Sequence, residues 1–83
     1  MSKRDFTFQK RLNQIMTERK LYPSQLAKMV GISRSLLYGY MQGDNQPTTF
    51  NLKKIALRLN ISTDWLLGIS DNREIVRNGR TKK

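Results

Sequence analysis

The run from Leu26 to Tyr40 constrains this chain more than any other stretch. Ala27 is followed four positions later by Gly31, and apolar residues stand around them at Leu26, Val30, Ile32, Leu37 and Tyr40. Two short helices that cross steeply through a turn of three or four residues need a small side chain where they approach. Ala27 supplies it. The turn itself needs positive φ, which glycine adopts without a steric penalty, and Gly31 stands where the turn falls. Ser33 then offers a hydroxyl to cap the next helix. The spacing predicts a helix over Pro23 to Met29 and a second over Arg34 to Gln42, which Gly43 ends. Proline suits the first position of the earlier helix, where an N–H would have no intrahelical partner.

The flanks extend the pattern into an all-α domain of five helices. A first helix is expected over Phe6 to Arg19, because Phe8, Leu12, Ile15 and Met16 recur on one face of a 3.6-residue period; Thr7 or Asp5 caps it. Gly43 to Pro47 reads as a loop. Thr48 or Thr49 caps a fourth helix over Phe50 to Leu59, striped by Leu52, Ile55, Ala56 and Leu59, and Asn60 stops it. Ser62 caps a short fifth helix carrying Trp65, Leu66 and Leu67, closed by Gly68. From Ser70 the composition turns polar and basic, with only Ile75 and Val76 apolar. The expected organisation is a domain over residues 1–69 and a flexible basic tail over 70–83, with Arg73, Arg77, Arg80, Lys82 and Lys83 acting as a linker or an electrostatic arm.

With 83 residues, the chain has room for one core. It has no cysteine and no histidine, so disulfides and thiolate or imidazole metal sites are excluded, and neither cofactor nor small-molecule ligand is expected. Acid–base or nucleophilic catalysis is left with few groups and no Gly-rich phosphate loop, and no enzyme is expected. Sixteen Lys and Arg against six Asp and Glu give a formal net charge of +10, which favours a polyanionic partner. No apolar run approaches the ~20 residues of a membrane span, and no apolar stretch follows the first charges as a signal peptide requires. A cytoplasmic protein is expected.

The residues then carry a resemblance. Arg11-Leu12, Gln25-Leu26-Ala27, Gly31-Ile32-Ser33-Arg34-Ser35, Gly43, Pro47, Leu52-Lys53-Lys54-Ile55-Ala56 and Ile61-Ser62-Thr63-Asp64-Trp65-Leu66-Leu67-Gly68 together resemble the phage-repressor and Cro family of helix-turn-helix proteins. The resemblance covers about residues 8 to 68. It implies a compact five-helix, lambda-repressor-like domain that binds double-stranded operator DNA, usually as a homodimer on a pseudo-palindrome, as a transcriptional regulator and most often a repressor. An activator using the same pose, an antitoxin-like protein-interaction module, and an RNA-binding or membrane-surface basic protein are the alternatives.

Three departures from the family pattern matter. The first residue of the second helix is commonly glutamine touching a phosphate; here it is Pro23, and Tyr22 or Ser24 takes its place. An arginine late in the first helix and a glutamate late in the recognition helix are commonly paired; here Met16 and Met41 stand there and are expected to pack together, since an apolar replacement of a buried ion pair can be neutral or stabilising. Third, the positions that often read bases carry Arg34, Ser35 and Gly39. Arg34 can present a fork to guanine O6 and N7, Ser35 can donate or accept, and Tyr38 shares their outward surface. Gly39 reads nothing and is expected to let the backbone approach the DNA. Lys28, Gln42, Asn45, Gln46, Thr48 and Thr49 are expected at phosphates, with Asp44 turned away and Lys53 and Lys54 either solvated or near DNA. Trp65, Leu66 and Leu67 are core residues that the resemblance also places at a dimer interface.

Overall fold

A computed structural model describes residues 5–75. Its helices are α1 (Thr7–Arg19), α2 (Pro23–Val30), α3 (Arg34–Gln42), α4 (Thr49–Leu59) and α5 (Thr63–Leu67), and there is no strand among the described residues. The expected all-α, five-helix class is the observed one, with α1 starting one residue later than the periodicity suggests and α2 one residue longer. α3 packs on α1 and α2, whereas α5 packs on α1 and α4, so α3 and α5 share α1 as a neighbour without packing on each other.

Local chemistry sets the helix ends. Ser33 Oγ accepts the Leu36 N–H at 3.0 Å, Thr48 Oγ1 accepts the Asn51 N–H at 3.1 Å, and Ser62 Oγ accepts the Asp64 and Trp65 N–H groups. Of the two caps considered for α4, Thr48 is the one used, and Thr49 is the first helical residue. Neither candidate caps α1 in the ordinary way. Phe6 holds the N-cap position, and Asp5 Oδ1 reaches past it to accept the Thr7 N–H at 2.9 Å; the Thr7 side chain first, and this backbone bond second, hold the Asp5 carboxyl below its usual range. Gly31 makes the expected turn at φ 84°, and Asn60 stops α4 in the left-handed region at φ 56°.

The core is apolar throughout among the described residues. Phe8, Leu12, Ile15 and Met16 of α1 face Leu26, Ala27 and Val30 of α2, Leu37 and Tyr40 of α3, Ile55, Ala56 and Leu59 of α4, and Trp65 and Leu66 of α5. Phe8 and Tyr40 meet edge to face with centroids 5.9 Å apart. Tyr40 keeps its hydroxyl satisfied by accepting from Asn51 Nδ2 at 3.0 Å. No described helix is long and apolar enough to cross a membrane.

The chain beyond α5 departs from expectation. Residues 70–75 lie on the domain. The Ser62 N–H donates to the Arg73 carbonyl at 2.8 Å, and the Arg73 guanidinium grips Glu18 of α1 through both carboxylate oxygens at 2.6 and 2.9 Å. Arg11 donates through Nη1 to the carbonyls of Trp65, at 2.5 Å, and Ser70, at 2.9 Å. Both guanidiniums lie against Trp65, at 4.7 Å for Arg11 and 4.6 Å for Arg73 from the ring centroid. Arg73 is therefore a clasp on α1 and α5, not part of a free arm. A polar composition conceals this because the attachment uses carbonyls and guanidiniums instead of apolar side chains. Val76, Arg77, Arg80, Lys82 and Lys83 lie outside the described residues.

Candidate nucleic-acid interface

The outward face of α3 is built by subtraction. Leu37 and Tyr40 sink into the core and Leu36 and Met41 pack at its margin, so a nine-residue helix has Arg34, Ser35, Tyr38 and Gln42 left exposed. Tyr38 is 45% exposed, as an outward residue should be. Hydrogen bonds from α1 fix where that face points. Gln9 Nε2 and Asn13 Nδ2 both donate to the Met41 carbonyl, at 3.1 and 2.8 Å. This satisfies one of the carbonyls a helix C-terminus leaves free and ties the last turn of α3 to α1. Gln9 and Asn13 were not among the expected functional residues, and nothing in their spacing distinguishes them from solvated polar positions. Met16 and Met41 both line one groove between α1, the start of α2 and the end of α3, with Leu21, Tyr22 and Pro23 beside them.

Around α3 stand the residues expected at phosphates. Tyr22, Ser24 and Lys28 are exposed along α2 and its start, and the Tyr22 N–H is held by Gln25 Oε1 at 2.8 Å. In the α3–α4 loop Asp44, Asn45, Gln46 and Thr48 are exposed, as is Thr49 at the start of α4. Two of these are already engaged: Gln46 Nε2 donates to the Asp5 carbonyl at 3.1 Å, and the Thr48 hydroxyl caps α4. Their first task is to hold the loop. Lys53 is exposed, while Lys54 is half-buried with its ammonium 5.1 Å from the Phe50 ring centroid.

Gly39 differs from expectation. A Cβ added there would overlap Asn45 Nδ2 and lie 3.2 Å from Asn45 Cγ. The space beside the glycine is filled by a side chain of this chain, so it does not stand open for the backbone to meet a ligand directly.

Trp65 and Leu66 are in the core at 4% and 0% exposure, so of the three residues named for an interface between copies only Leu67, at 38%, reaches the surface. Three consecutive helical residues point about 100° apart, and burying two of them turns the third outward. Leu57 and Ile69 are more exposed than Leu67 and were not anticipated.

Charge is distributed unevenly. Glu18, Asp64, Asp71 and Glu74 belong to α1, α5 and the segment that follows, where Glu18 and Asp71 pair with Arg73 and Arg11. Asp44 follows the C-terminal end of α3, and Asp5 is tied to the same loop through the Gln46 side chain, so both remaining acids lie towards that end and away from Arg34 at its start. Lys28 and Arg34 therefore face solvent with little acidic neighbourhood, which makes the α2–α3 side the one an anion meets favourably.

The comparison with known proteins decides the family. A family model described as helix-turn-helix matches residues 9–66. The chain belongs to the helix-turn-helix family. Within this helix-turn-helix domain α2 and α3 are the paired helices, and the matched span lies within the resemblance read from residues 8 to 68. The chain is also similar to YobD of Bacillus subtilis (strain 168), an uncharacterized HTH-type transcriptional regulator, with 34% identity over 62 residues covering 75% of this chain and 55% of the relative. It thus spans about half the length of the curated relative it matches. No solved structure matches.

Proposed function

We propose that this helix-turn-helix domain binds duplex DNA with sequence preference and regulates transcription, as a repressor that occupies an operator. The observation that carries the reading is the exposed row of α3. Arg34 and Ser35 stand at the start of a helix thin enough for the major groove, on the acid-poor side of a chain with net charge +10. Arg34 takes a guanine through O6 and N7; Ser35 and Tyr38 add less selective contacts. Tyr22, Ser24, Lys28, Gln42 and Thr49 supply donors to the phosphates on either side. No catalytic role is assigned, and the cytoplasm is the expected compartment.

The same reading includes a homodimer. Leu57 on α4, Leu67 on α5 and Ile69 just after α5 are exposed apolar side chains outside α3, which supports self-association through residues other than the groove-facing row. Two copies related by a two-fold axis would set their α3 helices ~34 Å apart, in successive major grooves.

Selection of bound duplexes from a random pool tests this. A pseudo-palindromic motif with a guanine in each half-site is the expected result. Enrichment of no motif, with binding that falls equally for all duplexes as salt rises, would leave charge alone as the cause of affinity and the reading would fail.

A further inference from the structure

The exposed row of α3 contains a gap in sequence that is not a gap in space. Gly39 lies one turn beyond Ser35 and contributes no side chain. Asn45 fills the place: its carboxamide lies where a Cβ at position 39 would be. The backbone holds it there. The Asp44 and Asn45 N–H groups both donate to the Gly39 carbonyl, at 2.9 and 3.2 Å. Asn45 is nevertheless exposed, and its carboxamide has no hydrogen bond to another described residue.

We propose that Asn45 is a specificity-determining residue, its carboxamide laid over Gly39 to read an adenine in place of a position-39 side chain. This rests on the reading of α3 as the helix that enters the major groove. A carboxamide offers one acceptor and one donor side by side, matching the N6 amino group and N7 of adenine, whereas guanine presents two acceptors. Asn45 was expected at a phosphate. A phosphate contact from this loop would need only a donor and would make no use of the space beside Gly39. Glycine is the weakest helix former after proline, so its presence within α3 is accounted for by the side chain it accommodates.

The test uses the full chain and the duplex that wild type selects, with each base pair changed in turn and affinity measured by anisotropy. Two variants converge. Asn45→Ala removes the carboxamide. Gly39→Ala adds a methyl that displaces it, and because the displaced atom ends a flexible side chain while alanine favours the helix, this variant is expected to melt no lower than wild type. Each is expected to lose about tenfold in discrimination at the same A·T pair of each half-site, and the double variant to lose no more than either alone. Uniform weakening of Asn45→Ala on every duplex, with a shallower salt dependence, would make it a phosphate contact and overturn the proposal. So would retention of the A·T preference by Gly39→Ala. If wild type prefers a guanine that Arg34→Ala ceases to recognise, while no A·T preference depends on Asn45, only this proposal falls. If wild type prefers no sequence, the groove reading falls and takes the proposal with it.

Discussion

Replacing Arg11 by alanine should be among the most damaging changes available at a partly exposed position. The side chain is 21% exposed and serves two carbonyls at once, those of Trp65 and Ser70, while its guanidinium lies 4.7 Å from the centre of the Trp65 ring. Hydrogen bonds to charged groups contribute about 1.5–3 kcal/mol where they are shielded; partial solvation argues for about 1 kcal/mol each here. The contact with the indole adds about 0.5–1 kcal/mol. The ion pair with Asp71, whose carboxylate is fully exposed, adds almost nothing. The loss is then about 3 kcal/mol, or roughly 12–24 °C in Tm for a domain of this size. Thermal melting followed by circular dichroism measures it, and the emission of Trp65, the chain's single tryptophan, reports the local change. Arg11→Lys should fall between, since an ammonium lacks the planar fork. A stability of Arg11→Ala within about 0.5 kcal/mol of wild type would refute this assignment.

Other consequences follow from the same contacts. The Arg73 guanidinium, with help from Gln14, holds the Glu18 carboxyl at about 2, down from 4.5, so its contribution is complete above the ordinary carboxylate range and is lost as pH falls from 4.5 towards 2; Glu18→Gln should flatten that part of an acid-unfolding curve. Met16→Arg or Met41→Glu alone should cost about 3–5 kcal/mol by leaving a charge unpaired between α1 and α3, and the double variant should recover much of it in a urea double-mutant cycle. Ser33→Ala should lower stability by about 1 kcal/mol through loss of the α3 cap, read from the same urea curves.

What could be read from the sequence, and what could not, divides by the range of the interaction. Ala27 with Gly31, and the hydroxyls of Ser33, Thr48 and Ser62, act within a few residues of themselves, so the paired helices and their ends are legible. The core periodicity is legible for the same reason. Arg73 was assigned to a free tail because its partners, Glu18 and Ser62, are remote in the chain and polar. Gln9 and Asn13 escape notice for the same cause: their shared acceptor is a backbone carbonyl on α3, and a carbonyl has no sequence signature. At the interface, Arg34, Ser35 and Tyr38 are exposed where helical periodicity puts them. The filling of Gly39 by Asn45 depends on how the loop doubles back, which the residue types alone do not specify. Trp65, Leu66 and Leu67 show the remaining gap: an apolar triplet announces burial but not which member stays outside.

If α3 reads sequence, Arg34 at its start is the side chain whose loss should show it. Affinity for the selected duplex should be compared with affinity for the same duplex changed at one guanine, for wild type and Arg34→Ala, at two salt concentrations. Wild type should distinguish the two duplexes by about 1–3 kcal/mol, Arg34→Ala should not, and the difference should persist in both salts. Equal discrimination by wild type and variant, or a loss in affinity that is the same for both duplexes, would contradict sequence reading by α3.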